Sequence, residues 1–462
     1  MLSFLKVVER AETGPVCSEH DFDLHILVPS VRKLVKEYGI QYDPANPVPA
    51  DDDLADRVWA AGLELAIQTG VWCRDTERRI LFTREEIEDA LSFGPRGTVF
   101  GAGLDEKAMP RRRPEDKTIP WCSVGAAGGP VSNEHILANL IWAYAENALG
   151  DSICTPALTT IDGHTILAGS PFEVEGAIRT MLVSRESLRR AGRPDMPIVN
   201  GIASAVKAAA HIAGHRYGIR KGDALEIGTT AELKVDFDSL NKIALSLSEG
   251  SLVFAENGMI LGGLAGGPAG TAVVAAAYNP IDILVLRGAV QHPFPTHYDV
   301  RTTSTRDTIW VRSLVNQAVS RNSPLPLVNV GIVGAGPTTK MAFYEFAAWV
   351  TAAVVSGGSI EAGGAARNSE VDHAGPLEPL FACEVAHAVA GMSRKEANRI
   401  VLGLLEKYED SLRDPPLGSR YQDCCDVATG TPHKDYLALY REVRRDIASE
   451  FGLDLPSVCP YA

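Results

Sequence analysis

The sequence predicts a (β/α)8 barrel with helical N- and C-terminal extensions, and three observations carry that expectation. From about residue 118, short apolar runs of strand type recur: Ile119-Val124, Ser152-Leu158, Met196-Asn200, Ala224-Gly228, Leu252-Glu256, Ile283-Gly288, Leu327-Val333 and Gly358-Ala362. Their starts are 33, 44, 28, 28, 31, 44 and 31 residues apart, the period of a strand, a helix and two loops. The stretches between them carry helix-start signals, as in Ser170-Pro171-Phe172-Glu173, with serine in the capping place and proline in the first turn. A doubly wound open sheet is the alternative, weakened because no strand is followed by GxGxxG opening a helix.

Taken in order, residues 1–117 read as a helical extension. Val31 to Tyr38 and Leu54 to Thr69 have apolar residues at helical spacing, and Thr83-Arg84-Glu85-Glu86 has the pattern of a capping box. Proline-rich joints at Asp43 to Pro49 and Pro110 to Pro114 separate the pieces. The barrel is expected over 118–370. Residues 371–462 are expected to be a helical segment packed on it, with periodicity at Glu384 to Ala390, Arg394 to Tyr408 and Asp435 to Phe451.

Bulk properties exclude several classes. The chain has 462 residues, 45% hydrophobic and 22% charged, with net charge −14. That balance disfavours a nucleic-acid surface and an anionic membrane. The one basic run, Arg111 to Arg113, is expected to be a solvated loop. The eight cysteines form no framework or zinc-ligand spacing, which suits thiols in a reducing cytosol. MLSFLKVVER has too short an apolar stretch for a signal peptide. Gly262 to Ala289 is broken by Pro268, Asn279, Pro280, Asp282 and Arg287, so no membrane span is expected.

The candidate site starts from Leu252-Val253-Phe254-Ala255, which ends on Glu256 and leads into a glycine-rich loop. A carboxylate where a buried strand surfaces is costly unless something pairs or uses it. In parallel α/β proteins, ligands bind at that strand end. Glu226 occupies the same place one strand earlier. Adjacent strands lie about 4.8 Å apart, so the pair can converge to bind a cation or to share a proton. Two unrelated capping glutamates are the bland alternative. The polar stretch Gln291 to Thr308, with His292, His297, Arg301 and Arg306, reads as a loop after strand six, functional or merely solvated. His211 and His215 have the spacing of a metal pair but lack the glutamate of HExxH, so surface positions are expected. Gly334-Ala335-Gly336-Pro337 has no following P-loop lysine and reads as a tight turn.

Taken together, the chain resembles the monomethylamine:corrinoid protein methyltransferases of methanogenic archaea nearly end to end. The resemblance is carried by Asp21-Phe22-Asp23-Leu24, Ser170-Pro171-Phe172-Glu173-Val174, Gly192-Arg193-Pro194, Glu232-Leu233-Lys234-Val235-Asp236, Gly262-Gly263 with Gly266-Gly267, Ser304-Thr305-Arg306 and Tyr421-Gln422-Asp423-Cys424. It implies a (β/α)8 barrel, a cytoplasmic homohexamer, and methyl transfer from an amine to the Co(I) centre of a separate corrinoid protein. Glu226 and Glu256 fall on the family's two active-site glutamates. The pyrrolysine position falls on Val199, or on Asn200 if shifted by one, and neither side chain can form the family's amine adduct. A further glutamine and tyrosine fall on Val330 and Ile332. The resemblance, with these departures, implies a pyrrolysine-lacking member whose donor is an N-methylated, quaternary amine, since such a cation is already activated as a leaving group. The alternatives are a corrinoid-independent barrel using Glu226 and Glu256 for acid–base chemistry, and a barrel that only binds a small cation.

Overall fold

A computed structural model describes residues 2–125, 128–200, 207–363 and 370–461. Eight parallel strands form the central sheet: β1 Cys122–Gly125, β2 Ser152–Cys154, β3 Ile198–Val199, β4 Ala224–Thr229, β5 Leu252–Asn257, β6 Val290–Pro293, β7 Val328–Val330 and β8 Ser359–Ala362. Each pairs with its neighbour in chain order, and β8 returns to β1 through Ile360↔Cys122 and Glu361↔Ser123. Between β6 and β7 the barrel closes through a single bridge, Gln291↔Leu327. A helix follows every strand, from Glu134–Ala145 after β1 to Leu377–Ala388 after β8. This is the expected (β/α)8 barrel.

The sixth strand differs from the sequence expectation. Ile283 to Gly288 is not a strand: the helix Pro268–Ile281 runs on through a π-turn, Asp282–Leu286, and stops at Arg287 in the left-handed conformation. The true strand begins at Val290. Every residue from Gly270 to Leu286 is buried, so the segment is apolar on all sides and periodicity cannot tell strand from helix. Pro268–Leu286 is long and apolar enough to cross a membrane, but 94% of its most apolar window is packed inside the protein.

The N-terminal part contributes more than helices. Thr98–Phe100 and Lys107–Met109 pair as an antiparallel hairpin. Phe100 and Met109 join Trp121, Val199, Ala224, Phe254, Val290 and Val328 in one apolar cluster. The Phe100 ring lies 5.2 Å from Trp121 and 5.5 Å from Phe254, so the hairpin plugs the barrel from below.

Two polar expectations are corrected. Arg112 is not solvated: it is 2% exposed. Its guanidinium donates to the carbonyls of Val354, Gly358, Thr118 and Asp116, tying the approach segment to the end of the barrel wall. His211 is also buried. His215 donates from Nδ1 to the His211 carbonyl, and its Nε2 bonds Ser251 Oγ, so the two histidines fasten a helix and carry no surface site.

Glu345, buried in the helix Lys340–Val355, accepts from the N–H groups of Gly334 and Ala335 at 2.7 and 2.9 Å and from Ser304 Oγ. The glycine turn after β7 is therefore anchored on a carboxyl. Burial pushes that carboxyl up to about 7, against the lowering by these three donors. Because its folded value lies above the unfolded one near 4.5, the folded state holds the extra proton in between. Stability then falls as pH rises from about 4.5 to 7, by up to roughly 3 kcal/mol. Thermal melts of Glu345→Gln against the unmutated protein should show the gap closing toward neutral pH in the variant's favour; a pH-independent gap would refute the assignment.

Candidate active site

Side chains alternate between the two faces of each barrel strand. Ala224, Phe254, Val290 and Val328 point inward, since they share the cluster around the hairpin plug. Two residues further along the same strands, Glu226, Glu256, His292 and Val330 must also face the interior, one storey higher. The ladder agrees: Gly228 lies opposite Glu256, Glu256 opposite His292, and Val330 opposite Glu361. The two predicted glutamates do meet. Ligand atoms of Glu226, Glu256 and His292 all lie within 4.8 Å of one another, and so do those of Cys154, Glu226 and Glu361.

The site is therefore larger than the sequence expectation. His292 Nδ1 is 3.8 Å from Glu226 Oε1, and its Nε2 is 3.9 Å from Glu361 Oε2. The side chains of Glu226, His292 and Glu361 are 4%, 1% and 0% exposed. Glu256 is recessed but reachable. Among the described residues no lysine or arginine forms an ion pair with any of these carboxyls.

Burial dominates the electrostatics. It drives the Glu226 carboxyl well above its usual range, with Glu361 adding to the shift. Glu256 is pushed up to about 8, first by burial and then by Glu226. Glu361 is also raised by burial, less so because Glu226 and Cys154 donate to it. His292 is pushed down to about 3 by burial, helped by the charge of Arg312. Arg312, 1% exposed, stacks on Trp349 at 4.9 Å in the wall behind His292. With no added charge, burial favours the protonated form of these carboxyls and the neutral form of the imidazole.

The remaining predicted residues fall at different heights. Val199 belongs to the apolar floor. Asn200 lies past the end of β3 with φ +50°, partly exposed, its carbonyl accepting from Thr155 Oγ1. Val330 is 4% exposed beside Glu361. Ile332 lines a cavity of about 540 Å³ at the mouth, together with Arg301, Val333, Glu370 and Arg413. Glu226 and Glu256 are not among that cavity's walls.

A closed parallel barrel with converging ionisable groups at the C-terminal storey of its strands defines an enzyme of the (β/α)8 class. The chain belongs to the family described as Monomethylamine methyltransferase MtmB, which matches residues 2–453, and it is a methyltransferase. It is 30% identical over 448 residues to the monomethylamine methyltransferase MtmB of Methanosarcina mazei, covering 96% of this chain and 97% of that one. A Methanosarcina barkeri relative, MtmB1, is 29% identical over 447 residues, with the same coverage. The crystal structure of the Methanosarcina barkeri monomethylamine methyltransferase superposes with a TM-score of 0.94 at 28% identity, over 98% of each chain. The crystal structure of the hydroxylamine complex of MtmB superposes equally well.

Proposed function

We propose that this enzyme moves a methyl group from a quaternary N-methylated amine to the Co(I) centre of a separate corrinoid protein, without pyrrolysine. The observation that carries the reading is the set of recessed and buried carboxyls facing the barrel mouth, none of them in an ion pair with a lysine or arginine among the described residues. A buried carboxylate is expensive unless a positive charge accompanies it, and a quaternary ammonium supplies that charge.

Glu256 and Glu226 are assigned to hold the cation from below, and Val330 and Ile332 to form apolar walls for its methyl groups. Val199 closes the floor, and Asn200 stands at the rim. The Co(I) centre supplies the nucleophile. As it takes the methyl carbon, the C–N bond breaks, the electron pair stays on nitrogen, and a neutral amine departs. The barrel's part is to align the donor methyl toward the mouth and to exclude water. Apolar groups at 199, 330 and 332 offer a small primary amine no hydrogen bonds, which favours a donor needing none. By resemblance we further propose a cytoplasmic homohexamer, the corrinoid protein docking over each mouth.

The test is anaerobic loss of the Co(I) absorbance of a corrinoid protein, with tetramethylammonium, other quaternary donors and monomethylamine compared side by side. Turnover confined to quaternary donors is expected. Turnover of monomethylamine alone, or amine conversion without any corrinoid, would overturn the proposal. Sedimentation of the same preparation should give the hexamer, and a monomer would remove that part.

A further inference from the structure

The helical run that begins at Glu19 is not regular. It starts as a single α-turn, Glu19–Asp21, passes through a π-turn, Phe22–Leu27, and continues as the α-helix Val28–Glu37. The Val28 N–H reaches back five residues, to the Asp23 carbonyl. In a regular α-helix, residues five apart stand about 140° apart around the axis, on different faces. A π-turn closes each ring with one more residue and brings them nearer together. Here the solvent side of the segment carries His20, Asp21 and His25 as neighbours.

We propose that these three residues form a site for one divalent transition-metal ion of the nickel or zinc type, separate from the barrel interior. One ligand atom of each lies within 4.8 Å of the other two. His20 Nδ1 is 3.8 Å and His25 Nε2 is 3.9 Å from the same atom, Asp21 Oδ1. Those separations are too long for hydrogen bonds. Ligands about 2.0–2.2 Å from a shared ion stand roughly 3–4 Å apart, so the two contacts span one ion. The histidine side chains are 69% and 66% exposed, and they can turn to close the remaining distance without disturbing any packing.

The base of the site is fixed. Ser18 Oγ donates to Asp21 Oδ2 at 2.7 Å, which holds the second oxygen of the carboxylate and leaves Oδ1 to face both rings. Carboxylates that bind metals are commonly oriented by such an outer hydrogen bond. On the protein side of the same turn, Lys234 donates to Glu19 and Asp23 at 2.8 Å each, with its own side chain 5% exposed. Phe22 and Leu27 are buried. Glu19 and Asp23 are therefore committed to the lysine, and Asp21 is the carboxylate left for a cation.

A second observation is the convergence of the rings themselves. Two imidazoles with open water around them meet edge to face at 5.4 Å and aim at one oxygen. Two imidazoles and a carboxylate, with water completing the shell, are a donor set that suits Ni²⁺ and Zn²⁺. The cluster shares no residue with the site at the barrel mouth, so the proposal does not depend on the methyl donor.

The test is calorimetric titration of the full-length, chelator-treated protein with Ni²⁺. One Ni²⁺ per chain is expected, bound at least tenfold more weakly by His25→Gln and by Asp21→Asn. His135→Gln, which alters an exposed histidine outside the cluster, should bind as the unmutated protein does. Unchanged affinity in His25→Gln or Asp21→Asn overturns the proposal, and so does an equal loss in His135→Gln. X-ray absorption at the nickel edge gives a second reading on the unmutated protein, whatever the variants' folding. Two imidazole neighbours support the site. Fewer than two, or a sulfur neighbour that would move the ion to Cys17, refutes it.

Discussion

Replacing Glu256 by glutamine is expected to weaken donor binding and to slow methyl transfer to Co(I) at sub-saturating donor roughly a hundredfold, with the protein still folded. Glu256 stands one storey above the plugged floor, recessed but reachable, within 4.8 Å of Glu226 and His292. In the proposed reaction the donor begins with a full positive charge that vanishes as the amine leaves. A carboxylate fixed beside it in a partly dry site acts through an interaction far stronger than in water. Losing about 2.7 kcal/mol of that interaction corresponds to the hundredfold. Glutamine has nearly the same shape, so packing is kept. The measurement is the rate of Co(I) loss at quaternary donor well below its Kd, with that Kd measured separately, since the carboxylate holds the full charge of the bound donor at least as tightly as the shrinking charge of the transition state. An unchanged rate would remove Glu256 from the chemistry.

Gly331→Ala should be strongly damaging for a single added methyl group. A β-carbon there would overlap the indole of Trp349. That ring is fully buried and is held between Phe346, at 6.0 Å, and the guanidinium of Arg312, at 4.9 Å. Neither β7 nor the helix Lys340–Val355 can retreat, because each is packed on its far side. Overpacking of this kind costs about 3 kcal/mol at the upper end of the usual range. The strand would have to shift, and Val330 and Ile332 flank the substitution, so donor binding should weaken as well. Thermal melts and soluble yield report the first effect, and donor affinity the second. A melting temperature equal to that of the unmutated protein would show that Trp349 has room to move.

The barrel was legible because its strands are short, apolar and evenly spaced, and that rhythm follows from burial on both faces. Glu226 and Glu256 were legible for the same reason, as lone carboxylates on apolar strands. Glu361 carries the same signature in Ser359-Ile360-Glu361-Ala362, but 135 positions of chain separate it from Glu226, and only closure of β8 onto β1 brings them together. His292 was obscured by its neighbourhood. The preceding segment is apolar on every face and imitates a strand, which pushed His292 into an apparent loop. Cys154 looks like any small buried residue. Arg112 sits in a run of three arginines whose outward chemistry suggests water, and only the carbonyls at Val354 and Gly358, some 240 residues later, give it a reason to be inside.

The hairpin plug makes the order of synthesis matter. Phe100 and Met109 leave the ribosome before any of the strands they are to close from below, and β8 follows only some 250 residues later. Until then those apolar side chains have no cavity to fill, and Arg112 has none of its distant carbonyls. The floor is thus made long before the walls, and it must wait. Chains whose decisive contacts span such distances close slowly, since loop entropy is spent before the contacts repay it. For this enzyme the waiting segment carries exposed aromatic surface throughout that interval, which makes it the part of the nascent chain most in need of a chaperone's cover.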